Sequence, residues 1–175
     1  MKVALHICCA VCAAGAAERL IQESHEVIGF FYNPNIFPEA EYQRRLASSR
    51  EVARQLRFPL VEGLYEPALW RQVVASLEAE PEGGKRCLRC FEMRLERTWR
   101  FMAETGCTAF TTTLTMGSNK SEAVIAAIGR KTGGDAFLSR DFKKRDGFKR
   151  ASELARQWGL YRQHYCGCEY SLKKP

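Results

Sequence analysis

The stretch that decides the fold is VALHICCAVCAAGAAERLIQ, residues 3–22. It begins with VALHI (3–7), an apolar run rich in strand-forming residues that predicts a buried β-strand. It continues with AVCAAGAAERLIQ (10–22), whose small apolar residues and later charged residues predict a helix packed close to a sheet. A strand followed directly by a helix is the opening unit of an α/β fold.

Three cysteines, Cys8, Cys9 and Cys12, lie at the point where this strand passes into the helix. Neighbouring side chains of a strand point to opposite faces, so Cys8 and Cys9 can serve one site only if the chain turns there. If the helix begins by Cys9, then Cys9 and Cys12 lie three positions apart on one helical face. Ligands bind at the carboxyl ends of parallel strands in open α/β sheets, which is where this cluster is expected.

The rest of the chain alternates in the same way. We predict further strands at 26–32, 58–63, 108–114 and 136–139, and further helices at 39–56, 66–80, 87–106, 118–133 and 149–158. This alternation predicts an α/β fold with a mostly parallel, Rossmann-like sheet flanked by helices. No repeat or linker interrupts it, so we expect one domain over residues 1–175, with a basic loop at 140–150 and a cysteine-containing tail at 166–168.

The composition indicates a cytoplasmic protein without a membrane segment. The chain has 175 residues and eight cysteines, no apolar run long enough to cross a bilayer, and an N-terminus too short in apolar residues for a signal peptide. In a reducing cytoplasm, clustered cysteines bind metals or act catalytically more often than they form structural disulfides. Cys107 stands alone in an apolar run and is expected to be a buried hydrophobic residue.

Two further cysteine clusters follow. KRCLRC (85–90) places a CxxC pair at a helix start, where the helix dipole and the flanking Lys85, Arg86 and Arg89 favour thiolates. CGC (166–168) holds two cysteines that form only a strained, redox-labile disulfide, act as ligands to a second metal, or are two unrelated cysteines of the tail. Four thiolates bind either zinc or a [4Fe–4S] cluster, and the spacing alone does not separate these two possibilities.

The charge indicates a polyanionic partner. The net charge is +7, and RDFKKRDGFKR (140–150) interleaves basic residues with two phenylalanines, a combination that suits phosphates and unpaired bases. A solvated basic loop is the alternative. Asp141 within this stretch is a candidate metal ligand, acid or helix cap, and His6 is expected to be a core residue more often than a residue that contacts substrate.

Six motifs occur in a fixed order: HICCAVC, FFYNPNIFP-x₂-EY-x₂-R, KRCLRC-x₃-RL, FTTTL-x₄-NK, RDFKK-x₂-G and YRQHYCGCEYS. Together they resemble the QueH-type epoxyqueuosine reductases, from about residue 3 to residue 171. One departure is Val11, which stands where the family's usual CCAPC has proline; this changes the rigidity of the turn and leaves the ligands in place.

The resemblance implies a Rossmann-like (HUP-like) iron–sulfur enzyme that acts on tRNA carrying epoxyqueuosine in its anticodon loop. It implies two-electron removal of the epoxide oxygen to give queuosine, with electrons from an external low-potential donor. The implied residues are Cys8, Cys9, Cys87 and Cys90 for a [4Fe–4S] cluster, Cys166 and Cys168 as a redox-active pair, and Cys12 and Asp141 for a second, mononuclear iron, with Asp141 also as a catalytic residue. The charge of the two basic stretches, and not the resemblance, suggests the residues that contact tRNA: Lys85, Arg86, Arg89, Lys143, Lys144 and Arg145.

Three other hypotheses stay open from the sequence. A zinc-stabilised, non-enzymatic RNA-binding module would use the cysteines only for structure. A tRNA-thiolating enzyme of the ATP-pyrophosphatase type would carry an S-G-G-x-D-S loop after the first strand, where this chain has CCAVCA. A thiol oxidoreductase that uses CxxC alone would leave the other two clusters unexplained.

Overall fold

The computed structural model describes residues 1–117 and 120–172. It confirms the α/β fold and shows a four-stranded sheet in the order β3-β2-β1-β4 with every pairing parallel. The strands are β1 Lys2–His6, β2 Glu26–Phe31, β3 Leu60–Glu62 and β4 Ala109–Thr112. The helices are α1 Ala10–Gln22, α2 Glu39–Leu56, α3 Pro67–Val73, α4 Lys85–Glu104, α5 Glu122–Gly133 and α6 Gly147–Gln157, with 3₁₀ turns at Thr113–Met116, Gly134–Ala136 and Glu169–Ser171.

Two predicted helices, 10–22 and 39–56, have the bounds that the pattern indicated. Other helices begin or end at different residues from those predicted, for local reasons. The helix predicted over 66–80 ends at Val73, because the chain turns beyond it and Ser76 takes a left-handed conformation (φ 68°) that a helix cannot continue through. In α5, the Ser121 side chain accepts a hydrogen bond from the Val124 amide and caps the helix. The predicted helix start at Ser118 and Asn119 lies outside the described residues.

The strand predicted over 136–139 was wrong. The segment follows a 3₁₀ turn, and only one bridge, between Phe137 and Phe110, extends the sheet there. The strand predicted over 108–114 also ends early. The Thr112 hydroxyl accepts a hydrogen bond from the Leu114 amide at 3.1 Å and starts the 3₁₀ turn after β4. This turn carries the Thr113 side chain towards the end of β1.

Apolar residues fill the space on both faces of the sheet. On one face, α1 packs between α2 and α6. A Cβ on Gly15 would lie 2.9 Å from the Ala151 side chain, so the small residues of α1 allow close approach of α6 as well as of the sheet. On the other face, α4 and α5 cover Phe30, Phe110 and Leu114. No helix in 1–117 or 120–172 is both long enough and apolar enough to cross a membrane.

Strand β1 is central, with β2 and β4 as its neighbours, and His6 at its end pairs with Phe30 and Thr112. All strands are parallel, so their carboxyl ends open onto the same edge of the sheet. The connections after β1, β2 and β4 therefore meet at that edge, and the cysteine turn lies between the other two.

Gly29 gives a direct test of the packing in β2. A Cβ there would lie 2.8–2.9 Å from side-chain atoms of Leu60, Phe58 and Ile7. We expect Gly29→Ala to lower the free energy of unfolding by about 1–3 kcal/mol, the usual cost of overpacking, as measured by urea unfolding. Glu26→Ala, at the exposed start of the same strand, is the control and should change stability by less than about 0.5 kcal/mol. Equal stabilities for the two variants would contradict this packing.

Candidate metal centre and active-site cavity

The chain turns at Cys8 and Cys9, as one shared site requires. Cys9 is the extended residue that precedes α1 (φ −166°), and its carbonyl accepts the first helical hydrogen bond, from Ala13. The Cys8 amide donates to the Thr113 hydroxyl at 3.0 Å, which ties the turn to the segment after β4. The ligand atoms of Cys8, Cys9 and Cys12 all lie within 4.8 Å of one another. These three sulfurs can therefore contact one metal centre.

The thiols of this turn share hydrogen bonds that separate their pKa values. Hydrogen bonds from Cys12 and Cys9 hold the pKa of Cys8 well below its usual range against the effect of burial, with help from the positive charges of Lys120 and Arg94. The same hydrogen bonds to Cys8 and Cys9, together with burial, raise the pKa of Cys12 well above its usual range. The metal-free turn thus favours one thiolate, at Cys8, stabilised by two neighbouring thiols.

The CxxC pair lies at the start of α4. The Cys87 sulfur accepts a hydrogen bond from the Gly83 amide at 3.2 Å. Cys90 is buried in a small apolar cluster with Trp70, Val74 and Cys168. Burial raises the pKa of both Cys87 and Cys90 above the usual value. The pair is not part of the group of sulfurs within 4.8 Å that Cys8, Cys9 and Cys12 form.

Arg45 anchors the cysteine tail. This buried arginine of α2 donates to the Cys166 carbonyl at 2.9 Å and to the Tyr165 carbonyl at 3.0 Å, while its Nε pairs with Glu41 at 2.8 Å. Gly167 has φ 136°, a conformation that favours glycine, and its carbonyl accepts from the Phe37 amide. These contacts direct Cys166 to the cavity, while Cys168 packs beside Cys90. All eight cysteines, including this pair, are free thiols in the structure.

A cavity of about 670 Å³ brings the clusters together. It is lined by Cys8, Cys12, Arg45, Glu82, Arg94, Leu114, Gly117, Lys120, Gln163, His164, Tyr165, Cys166, Ser171 and Leu172. A smaller cavity of about 130 Å³ adjoins it and is lined by Cys87 and by apolar residues of α4 and α5. Cys166, Lys120 and Glu82 line both cavities, so Cys8 and Cys12 of the turn, Cys87 of the CxxC pair and Cys166 of the tail line two adjoining cavities.

Three cationic side chains line this region: Arg45, which holds the tail, and Arg94 and Lys120. Arg94 is buried, donates to Asn33 Oδ1 at 2.7 Å, and directs Nη1 at the Cys90 sulfur at 3.9 Å. Burial lowers the pKa of Lys120, but the neighbouring Cys166, Cys8 and Cys12 thiols raise it above its usual value. The region therefore presents sulfur ligands together with positive charge, an environment that favours an anionic occupant.

His6 is a structural residue of the strand, as expected. It is fully buried, with Nδ1 2.9 Å from the Thr112 hydroxyl and Nε2 3.0 Å from the Tyr32 carbonyl. These contacts fit a neutral ring that donates from Nε2 to the carbonyl and accepts at Nδ1. Burial and the nearby Arg94 charge lower the pKa of His6 to about 3. His6 does not line the described cavities and therefore has no contact with their contents.

Asp141 lies away from the cysteines. Its carboxylate accepts from the Lys143 amide at 3.1 Å and lies 3.7 Å from Lys143 Nζ, and it does not line the cavity. Lys143 is held by backbone contacts, with Nζ donating to the Thr115 and Lys120 carbonyls. Lys144 and Arg145 are exposed. The structure does not bring Asp141 next to Cys12, so its role as a metal ligand or catalytic residue stays a prediction without geometric support.

The three basic residues around CxxC differ from one another. Arg86 is buried: its guanidinium donates to the Leu77, Glu78 and Glu80 carbonyls and lies over the Tyr170 ring. Lys85 is exposed, and Arg89 pairs with Glu92 at the surface. The environment of Arg86 is that of a residue which holds the 77–80 turn, and only Lys85 and Arg89 are accessible to a phosphate.

The sequence analysis did not identify Arg94, Arg45 or Lys120 as site residues. Arg94 lies four residues after Cys90 and seven after Cys87, on the same face of α4. This helical spacing could have indicated a charge beside the CxxC pair. Arg45 is the last residue of the second motif and Lys120 the last residue of the fourth. Arg45 contacts the cysteine tail, and Lys120 lies near the cysteine turn. These residues are far apart in sequence, so only the fold shows that they are close.

A family model described as epoxyqueuosine reductase QueH matches residues 3–174. Relatives of that name include the Streptococcus pyogenes serotype M1 protein, 34% identical over 98% of this chain and 71% of the relative. The Thermotoga maritima protein is 34% identical over 97% of this chain and 90% of the relative. Among solved structures, the U34-tRNA thiolase NcsA from Methanococcus maripaludis with its [4Fe-4S] cluster has a TM-score of 0.61 at 14% identity, over 99% of this chain and 62% of that chain. This last likeness shows the fold alone.

Replacing Arg45 tests the anchoring of the tail. We expect Arg45→Met to lower the free energy of unfolding by about 3 kcal/mol, because it removes the 2.8 Å ion pair of the buried Glu41, which then keeps the Tyr161 hydroxyl and the exposed Arg44 as partners. In the metal-free protein it should also speed alkylation of Cys166 by iodoacetamide, measured by peptide mass spectrometry, by roughly tenfold for each 1.4 kcal/mol of docking energy lost.

The matched control is Arg44→Met, the neighbouring arginine, whose side chain is 57% exposed and contacts the same glutamate. It should alter stability by less than about 1 kcal/mol. Equal Cys166 alkylation rates in the two variants would show that Arg45 does not hold the tail in place.

Proposed function

The chain belongs to the epoxyqueuosine reductase QueH family, and from that premise we propose that it reduces epoxyqueuosine to queuosine at the wobble position of tRNA. The reaction removes the epoxide oxygen with two electrons and two protons, leaves an alkene and releases water. The observation that supports it best is that two adjoining cavities, which share Cys166 and Lys120, are lined by cysteines of all three clusters, with Arg94 on the wall of the larger one.

The residues of this region fit an iron–sulfur cluster. The donors are thiols, the soft ligands that such clusters use. Arg94 and Lys120 complement the negative charge of a thiolate-ligated cluster, and the buried indole of Trp70 packs with Cys90 and Cys168. We propose that Cys8, Cys9, Cys87 and Cys90 hold a [4Fe–4S] cluster, which when bound supplies single electrons at low potential. Cys12 remains free for a second, mononuclear iron.

The cavity suits one nucleoside. Its volume of about 670 Å³ lies within the range of roughly 300–1,000 Å³ that is typical of ligand sites. An anticodon loop presents unpaired bases that can leave the stack and enter such a pocket. Lys120, kept protonated by the neighbouring thiols, would donate a hydrogen bond to the epoxide oxygen as negative charge develops on it.

Cys166 and Cys168 would act as a redox pair. Oxidation of two thiols to a disulfide releases two electrons and two protons, which balances the loss of the epoxide oxygen as water. Cys166 lines the cavity, while Cys168 packs against Cys90, so the pair spans the space between substrate and CxxC. A low-potential external donor would then return the disulfide to thiols.

Exposed basic residues would hold the tRNA backbone. Lys85 and Arg89 flank the CxxC pair at the surface, and Lys144 and Arg145 lie in the basic loop. These contacts would be sequence-independent and sensitive to salt. The buried Arg86 and the inward-facing Lys143 are not accessible for this role.

One observation also favours the zinc-stabilised RNA-binding module. The Cys8, Cys9 and Cys12 sulfurs are close enough to share a single tetrahedral ion. The thiolase-type activity has no such support, because CCAVC follows β1 in place of its phosphate loop. Iron, sulfide and zinc analysis after anaerobic reconstitution separates the two surviving hypotheses.

The direct test is turnover. Anaerobically reconstituted protein with a chemical reductant should convert epoxyqueuosine in tRNA to queuosine, detected by mass spectrometry of the digested nucleosides. Cys87→Ala should lose both the bound iron and this conversion, since three protein thiolates remain where the cluster needs four. Cys107→Ala, a buried cysteine remote in sequence from all three clusters, should retain both. Full iron content in Cys87→Ala would exclude Cys87 from the ligand set.

Replacing Cys166 separates electron relay from cluster binding. We expect Cys166→Ala to retain the iron and sulfide content of the unaltered protein and to reduce the conversion rate by at least about tenfold, the typical scale for loss of a catalytic group. Iron assays and the nucleoside assay on the same preparation measure both. Complete loss of iron from this variant would instead place Cys166 among the ligands.

A further inference from the structure

Arg94 connects the cysteine turn after β1 with α4, the helix that carries the CxxC pair. Its Nη2 donates to Asn33 Oδ1 at 2.7 Å, and Asn33 Nδ2 donates to the Ile7 carbonyl at 2.8 Å, directly before Cys8. Its Nη1 is directed at the Cys90 sulfur at 3.9 Å, one helical turn away on α4. One planar guanidinium thus links the end of β1, the loop after β2 and the CxxC helix.

The charge of Arg94 has no carboxylate partner. Among residues 1–117 and 120–172, the ion pairs include none to Arg94, although its side chain is only 2% exposed. A buried guanidinium costs several kcal/mol unless an anion compensates it. The groups it does face are Asn33, the neutral His6 and the cavity, whose lining contains the Cys8 and Cys12 sulfurs and one carboxylate, Glu82, which forms no ion pair with Arg94. The anion that such a charge requires would therefore lie at the sulfur site.

The other buried arginines have different partners. Arg45 is compensated by Glu41 at 2.8 Å, and Arg86 is surrounded by backbone carbonyls. Only Arg94 of these three combines burial, contact with a cysteine of CxxC and a place on the cavity wall without an acid beside it.

We propose that Arg94 is a positioning residue that holds the CxxC helix against the cysteine turn and places a permanent positive charge beside the metal centre, which makes one-electron reduction of that centre more favourable. This inference rests on the proposed iron–sulfur function. A fixed cation stabilises the more negative, reduced state more than the oxidised one. Arg94 would act through the metal centre, so its effect appears in the potential of the centre.

The experiment compares Arg94→Met, Arg94→Lys and the control Arg100→Met, an exposed arginine of the same helix that pairs with Glu96. Each full-length protein is reconstituted anaerobically, its iron and sulfide are measured, and its midpoint potential is determined by optical titration, with circular dichroism as the check on folding. We expect Arg94→Met to lower the equilibrium constant for one-electron reduction at least tenfold, equivalent to 59 mV. Arg94→Lys should lie closer to the unaltered protein, and Arg100→Met should match it.

The outcomes are distinct. An Arg94→Met potential equal to that of Arg100→Met, with full iron in both, would overturn the inference while leaving the proposed function intact. If Arg94→Met folds but takes up no cluster while Arg94→Lys does, the positive charge is required for assembly and the inference is supported. Should Arg94→Met fail to fold, Arg94→Gln decides, because it keeps a side-chain donor and removes the charge: a midpoint potential at least 59 mV below that of Arg100→Met supports the inference, and a potential equal to that of Arg100→Met, with full iron, overturns it. Absence of a cluster from the unaltered protein would reject the proposed function itself.

Discussion

The structure depends on one reversal of the chain, at the carboxyl end of the central strand. Because β1 has a parallel neighbour on each side, the residues that follow it are flanked by the loop after β2 and by the 3₁₀ turn after β4. Asn33 binds the Ile7 carbonyl from one side and the Thr113 hydroxyl accepts from the Cys8 amide on the other. With these two hydrogen bonds in place, the consecutive residues Cys8 and Cys9 can direct both of their sulfurs to one site.

Buried positive charge organises the surroundings of that turn. Arg45 and Arg94 are equally buried but have different functions in the fold. Arg45 carries its counter-charge on its own helix, in Glu41, and uses its remaining donors to hold the tail carbonyls. Arg94 lies beside the side-chain carbonyl of Asn33 and the thiol of Cys90, and it forms no ion pair in the described part of the chain. Its positive charge therefore lies unpaired on the wall of the cysteine cavity.

The sequence predicted the parts of this account that depend on local pattern. Helices 10–22 and 39–56 follow from periodicity, and the chain reversal follows from the strand-to-helix boundary at Cys9. The failures have long-range causes. The local sequence of 136–139 is typical of a strand, and it does not show that only Phe137 joins the sheet, through a single bridge. The basic residues around CxxC looked equivalent in sequence, yet Arg86 is surrounded by carbonyls of a turn that sequence analysis had assigned to a helix. Asp141 was chosen for its residue type and motif, and only the fold shows its distance from the cavity wall.

The central claim is that the cysteines of the turn and of CxxC hold one iron–sulfur cluster at this cavity. The most direct measurement is the Mössbauer spectrum of protein reconstituted anaerobically with ⁵⁷Fe, recorded for the unaltered chain and for Cys9→Ala and Cys90→Ala. The account predicts the delocalised mixed-valence signature of a cubane [4Fe–4S] cluster in the unaltered chain and its loss from both variants. A spectrum of isolated iron sites only, or a cluster that persists when either cysteine is replaced, would contradict it.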